Sequence, residues 1–158
     1  MNSDEATILQ GLGPIDPGFL SESIGSLMTP SPHTVLDSLS VAETIESMLD
    51  ADIGSVLVVD KQGNLRGIFT ERDVLKKVVA SKSDLNKMQI SSVMTADPST
   101  EKAASSIAVA IYKMTRGGFR HLPIVDEHNR AVGMVSIKDV TERISRELLK
   151  GVFQNAFG

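Results

Sequence analysis

Two short stretches of the chain combine a hydroxyl with a carboxylate at the same spacing. Thr70 precedes Asp73 by three residues, and Ser136 precedes Asp139 by three residues. In both stretches a glycine and two apolar residues lead to the hydroxyl, and a helix-forming segment follows the aspartate. This pattern predicts that each hydroxyl and each acid lie where a strand ends and a helix begins.

A carboxylate at such a junction can accept hydrogen bonds from the two adjacent hydroxyl groups of a ribose. Each charge-assisted bond is worth about 1.5–3 kcal/mol. The unpaired N–H groups and positive dipole end of the helix suit a phosphate. Arg72 and Lys138 lie in the same first helical turns and can supply cationic charge. The predicted ribose-binding residues are Thr70, Asp73, Ser136 and Asp139.

The same spacing also describes an ordinary helix N-cap. A hydroxyl at the cap and an acid three residues later can each accept from the other's backbone N–H without any ligand. Capping alone does not require the preceding glycine or the repetition. Both roles remain open, because the hydroxyl can cap the helix while the carboxylate faces a cleft.

The two junctions belong to a longer internal repeat. Residues 28–74 align without a gap on residues 94–140, which indicates one supersecondary unit present twice. Each unit is predicted to be β-α-β-β-α. One unit cannot bury both faces of so small a sheet, so we expect the two units to pack together. Pro123, where the first repeat has Leu57, indicates an edge or irregular strand.

The repeat predicts the domain organisation. Gly151 is expected to end the last helix, and glycines and prolines interrupt any helix near the N-terminus. The expected segments are a flexible tail at 1–20, a first repeat at 21–80, a linker at 81–87, a second repeat at 88–150 and a C-terminal tail at 151–158.

Composition narrows the possible functions. The chain has 158 residues and no cysteine, which excludes disulfides and thiolate metal sites and fits a reducing cytoplasm. A net charge of −4 and an aromatic content of 4% argue against nucleic acid as a partner. No apolar run approaches the roughly 20 residues of a membrane span, and no secretory signal is expected. Common catalytic motifs are absent, so no catalytic or metal-binding residue is predicted.

The ordered set of motifs resembles the cystathionine β-synthase (CBS) domain, and the tandem resembles a Bateman module. The resemblance rests on Met-Thr-x-x-Pro segments beginning at Met28 and Met94, on strand ends at Asp60 and Asp126, and on the two glycine-to-aspartate junctions. It covers about residues 21–148. It implies an α/β (α+β) fold of two β-α-β-β-α repeats packed through their sheets with pseudo-two-fold symmetry. It also implies two equivalent clefts for AMP, ADP, ATP or S-adenosylmethionine, and pairing into flat homodimers.

The resemblance assigns further residues to the clefts. Arg120 and His121 replace Gly54 and Ser55 of the first repeat and are implied phosphate contacts beside Arg72 and Lys138. The alternative is a solvated Arg120 and a half-buried packing His121. We expect non-equivalent sites, with the Asp139 junction better suited to phosphate. Backbone groups and apolar walls would bind adenine at Pro32, His33, Thr34, Val56, Pro98, Ser99, Thr100 and Leu122.

The sequence therefore predicts a regulatory function without catalysis. The leading hypothesis is a cytoplasmic, energy-sensing CBS pair without an obligatory cofactor, which binds an adenosine nucleotide as a regulatory ligand. It would signal by a change of shape or assembly to a dimer mate or to an effector protein in trans. The alternative is a dimerisation or interaction module that works independently of nucleotides.

Overall fold

The computed structural model describes residues 17–157, with side chains through residue 150. The strands are β1 Thr29–Pro30, β2 Thr34–Leu36, β3 Ser55–Val59, β4 Leu65–Thr70, β5 Thr95–Ala96, β6 His121–Val125 and β7 Ala131–Ser136. The α-helices are Val41–Asp50, Glu71–Asp73, Val79–Ser81, Ile107–Gly117 and Ile137–Phe157. A π-helical turn, Val74–Val78, joins the second and third of these. The 3₁₀ turns are Pro17–Ser21, Ile24–Ser26 and Ile90–Ser92.

The described parts of both predicted tails are folded. Most of the expected N-terminal tail lies outside the described residues. Its last part forms the Pro17–Ser21 turn, in which Phe19 is buried. The final helix does not end at Gly151 but continues to Phe157. A glycine inside a helix costs about 1 kcal/mol relative to alanine, which weakens a helix without ending it.

The strands form two sheets that exchange their first strands between the repeats. One sheet has the order β2-β3-β4-β5 and the other β1-β7-β6. Strand β1 of the first repeat pairs antiparallel with β7 of the second, and β5 of the second pairs antiparallel with β4 of the first. The Met-Thr-x-x-Pro segment that begins at Met28 therefore contributes a strand to the opposite repeat.

Glycines in the two junction motifs make room for this exchange. A Cβ atom on Gly67 would lie 2.4 Å from Sδ of Met94 and 2.9 Å from the carbonyl oxygen of Thr95. On Gly133 it would lie 2.7 Å from Sδ of Met28. Each glycine thus has a packing role independent of any ligand, so the glycine in the motif does not distinguish ligand binding from capping.

Three apolar clusters hold the fold together. The cluster of the first repeat includes Ile90 from the start of the second repeat. The cluster of the second repeat includes Ile24 from the start of the first repeat. A third cluster joins the two sheets through Leu57, Leu65, Ile68 and Val125. The repeats therefore pack through their sheets, as predicted.

Strand β6 lies at a sheet edge, as Pro123 predicted. In the first repeat the N–H of Leu57 donates to the carbonyl of His33 at 3.0 Å, within the parallel pairing of β2 and β3. Proline has no N–H to make the matching bond. The parallel pairing of the second repeat is reduced to one bridge between Glu101 and Ile124. Within residues 17–157 no helix combines the length and the apolar character needed to cross a bilayer.

Candidate functional site

A cavity of about 460 Å³ lies between the two repeats. Its volume falls within the range of about 300–1,000 Å³ typical of small-molecule sites. The predicted site residues that line it are Thr70, Arg72, Asp73, Pro98, Ser99, Arg120, His121, Ser136 and Lys138. Both strand-to-helix junctions therefore contribute to one site.

Both junction acids take part in helix capping. Oδ2 of Asp73 accepts from the backbone N–H and the hydroxyl of Thr70, each at 2.9 Å. Oδ2 of Asp139 accepts from the N–H of Ser136 at 2.6 Å and from its hydroxyl at 2.7 Å. The N–H of each acid donates back to the same hydroxyl. The capping alternative is thus confirmed as one role of these residues.

The second carboxylate oxygen differs between the two acids. Oδ1 of Asp73 lies 2.8 Å from Nζ of Lys77, which also donates to the carbonyl of Val93 at 2.9 Å. Oδ1 of Asp139 has no partner in the part of the chain that the structure describes, and Asp139 does not line the cavity. Because a carboxylate offers about four lone-pair sites, Asp73 can still accept from a ligand hydroxyl. Ribose binding by either acid stays a prediction.

The cations at the cavity are only weakly engaged. The Arg120 guanidinium makes no hydrogen bond or ion pair with any residue that the structure describes. Nζ of Lys138 lies 3.7 Å from Glu142, and its side chain is 80% exposed. Nη1 of Arg72 donates to the carbonyl of Gly118 at 3.2 Å. Since exposed ion pairs are worth about 0–1 kcal/mol, these side chains can turn toward an anion at little cost.

Part of the predicted adenine site lies elsewhere. Val56 and Leu122 have no exposed surface and belong to the cores of the two repeats, so neither lines the cavity, and their role as apolar walls stays a prediction. Pro32, Thr34 and Thr100 do not line the cavity, and neither does His33. Nε2 of His33 instead forms a hydrogen bond of 2.8 Å with Oγ of Ser47 on the surface.

Several lining residues were missed from the sequence. The apolar wall is formed by Ile68, Phe119 and Ile137, and Thr95 and Glu71 are further lining residues. Glu71 is the counterpart of Ile137 in the aligned repeats. That difference in charge at one matched position is the signal that could have identified it.

The environment of His121 lowers its pKa. Burial is the main cause, because it disfavours the charged imidazolium, and the charge of Arg120 adds to the effect. The carboxylates of Asp139 and Glu71 oppose it in part. At neutral pH this side chain is therefore an uncharged imidazole. No group of three acidic or histidine side chains within the described range is arranged to hold a metal ion.

The lowered pKa of His121 predicts a pH dependence of stability. Between the folded pKa and the ordinary value of 6.5, the unfolded chain binds more protons than the folded chain. The free energy of unfolding should therefore fall as pH drops from 6.5 through the folded pKa. We expect this loss to be larger in the wild type than in His121→Gln when urea unfolding is compared on both sides of that window. Equal losses of stability in the two proteins would contradict a lowered pKa of His121.

Comparison with known proteins identifies relatives along most of the chain. The family model described as "CBS domain" matches residues 24–80 and again residues 90–146. An uncharacterised 17.7 kDa protein of Acidianus ambivalens is 30% identical over 125 residues, covering 79% of this chain and 74% of that protein. Four other curated relatives are much longer, and this chain spans only 14% to 22% of their length.

Solved structures show the same fold. The CBS-domain containing protein ATU1752 from Agrobacterium tumefaciens is 31% identical with a TM-score of 0.69, covering 77% of this chain and 98% of that one. The CBS domain pair of protein MJ0100, in complex with 5'-methylthioadenosine and S-adenosyl-L-methionine, is 25% identical with a TM-score of 0.71. That match covers 84% of this chain and 98% of the other. The mixed α+β fold predicted from the repeat is confirmed.

Proposed function

The chain belongs to the CBS-domain family as a tandem pair, and from this premise we propose that it is a regulatory module whose cavity binds an adenosine-containing ligand. The observation that carries the proposal is the cavity between the repeats. It presents Asp73 from one junction, Lys138 from the other and the unengaged cation of Arg120. The adenosine ligands of the MJ0100 pair support this choice of ligand class.

The signal is a change in the orientation of the repeats. At the hairpin ends the repeats are linked, because the N–H of Leu65 donates to the carbonyl of Asn129 at 2.9 Å and the Asn129 amide donates back at 3.2 Å. The cavity is lined by both repeats, so a ligand there contacts both. Such a ligand favours the orientation to which it binds more tightly. A second copy of the chain or an effector protein reads that orientation, and no catalytic step is involved.

Replacing Asp73 by asparagine tests the ribose contact. We expect about tenfold weaker binding of AMP, since one charge-assisted hydrogen bond is worth roughly 1.5 kcal/mol or more. Calorimetric titration measures the change, and Asp50→Asn, an exposed acid away from the cavity, is the control. With 2',3'-dideoxy-AMP the Asp73→Asn effect should disappear, because the diol is missing. If the wild type gives no heat with AMP, ATP or S-adenosylmethionine, the proposed function is wrong.

Exposed apolar side chains favour a second candidate function, an assembly platform independent of nucleotides. Leu49, Leu75, Val79 and Tyr112 are large hydrophobic side chains that are mostly exposed, and exposed apolar side chains mark protein contacts where they form a contiguous patch. Native mass measurements with and without nucleotide separate the two candidates. An assembly that is unchanged by nucleotide and by Asp73→Asn would favour the platform.

A further inference from the structure

We propose that Glu71 sets the charge class of the ligand, by favouring adenosine ligands with little negative charge over nucleoside triphosphates. The inference rests on the proposed function and concerns the same cavity. It assigns a specificity-determining role to a side chain that is not among the site residues predicted from the sequence.

The placement of Glu71 directs its carboxylate over the cavity wall. Its N–H donates to the carbonyl of Gly54 at 3.0 Å. Its Oε2 lies 3.0 Å from the point where a Cβ on Gly54 would stand, so a larger residue at 54 would displace the carboxylate. The absence of a side chain at Gly54 thus gives Glu71 its position beside the site.

Among the described residues the Glu71 carboxylate has no ionic partner, and the second repeat has no acid at the matching position. Glu71 makes no side-chain hydrogen bond or ion pair with the residues that the structure describes, although it lines the cavity. An acid in the first helical turn also interacts favourably with the helix dipole. The matched helix begins with Ile137, so that interaction is not required at this position of the fold.

Glu71 lies near the groups proposed to meet phosphate. Its charge acts on His121, opposing the lowered pKa of that imidazole. The charged side chains of the cavity wall are three cations, Arg72, Arg120 and Lys138, and two acids, Glu71 and Asp73. This small excess of positive charge suits a monophosphate, which carries about two negative charges. A triphosphate would bring additional negative charge beside an unpaired carboxylate.

Glu71→Gln removes this charge and tests the proposal. By Coulomb's law across a partly solvated cavity, we expect affinity to change about threefold to tenfold per unit of ligand charge. ATP should gain most, AMP less and adenosine almost nothing, whereas S-adenosylmethionine, which is net positive, should bind more weakly. Calorimetric titrations without magnesium measure all four ligands. Glu71→Ile, which copies the second repeat, should shift them in the same order.

The control is Glu46→Gln, an exposed acid that does not line this cavity. A graded change ordered by ligand charge in the Glu71 variants, and not in the control, supports the proposal. If both Glu71 variants alter all four affinities equally or not at all, the role of Glu71 is overturned while the proposed function stands. If none of the four ligands binds the wild type, both proposals are wrong.

Discussion

Replacing Arg143 by methionine is expected to lower the free energy of unfolding by about 3–4 kcal/mol, because it breaks a largely buried ion pair. The guanidinium contacts Glu22 at 2.7 Å, forms an ion pair with Glu147 and lies 5.5 Å from the centre of the Phe19 ring. The Glu147 side chain is only 6% exposed. Without Arg143, its remaining ionic partner among the described residues is Lys150, which is 60% exposed. Because methionine keeps an apolar stem like that of arginine, the loss of stability arises mainly from removal of the charge.

Urea unfolding of Arg143→Met should be compared with Arg146→Met, an exposed arginine on the same helix. The control should lie within about 0.5 kcal/mol of the wild type. Adding Glu147→Gln to Arg143→Met should restore part of the stability, because removing both partners of a buried pair costs less than removing one. If Arg143→Met is no more destabilising than the control, the contacts of Arg143 with Glu22, Glu147 and Phe19 do not stabilise the fold.

Arg143 occupies the same repeat position as Lys77. Each of these residues contacts the segment that leads to a strand paired with the other repeat. Lys77 donates to the carbonyl of Val93 in the segment that leads to β5, and Arg143 contacts Glu22 in the segment that leads to β1. The sequence does not reveal this shared role. The two cations differ in type, and Glu22, the partner of Arg143 in that segment, lies 121 positions away.

Local signals in the sequence are sufficient to predict most of the secondary structure. The capping box at Ser40 opens the Val41–Asp50 helix, and the run of β-branched residues forms the fully buried strand β3. Gly118 ends its helix in the left-handed conformation. In each case the residues that determine the structure are neighbours in the chain, so their chemistry can be read directly.

Features that depend on distant contacts could not be predicted. Leu49 continues the apolar spacing of its helix but is 74% exposed. Thr44 is fully buried in that helix instead, because its hydroxyl is satisfied by the carbonyl of Ser40 at 2.8 Å. The π-helical turn after Asp73 and the exchange of first strands have no counterpart in hydrophobic periodicity. Both depend on tertiary packing.

The candidate site likewise has a part that the sequence predicts and a part that depends on distant contacts. The junction motif and the CBS resemblance led to side chains that do line the cavity, including Asp73, Arg120 and His121. Val56 and Leu122, which were predicted to form walls, do not line the cavity, because those strand positions face the cores. A strand residue points to one face or the other, and the sequence of a strand buried on both sides does not show which face borders a cavity.

Replacing Gly67 by alanine is expected to lower the free energy of unfolding by about 2–3 kcal/mol, in the upper range for overpacking. The new Cβ would stand 2.9 Å from the carbonyl oxygen of Thr95, which is backbone and cannot turn aside. Gly133→Ala should cost less, about 1–2 kcal/mol. There the matching distance to the carbonyl of Thr29 is 3.1 Å, and the closest atom is the flexible sulfur of Met28. Urea unfolding measures the free energy of unfolding of both variants and of the wild type.

A second substitution separates the two contacts at Gly67. Met94→Ala removes the sulfur that would lie 2.4 Å from the new Cβ, but it leaves the Thr95 carbonyl in place. The double variant should therefore regain only part of the loss caused by Gly67→Ala, after correction for Met94→Ala alone. Complete recovery would show that the backbone of β5 yields and that the methionine alone sets the requirement for glycine. A Gly67→Ala protein as stable as the wild type would contradict the close packing of β5 on β4, and with it the exchange of strands that joins the two repeats.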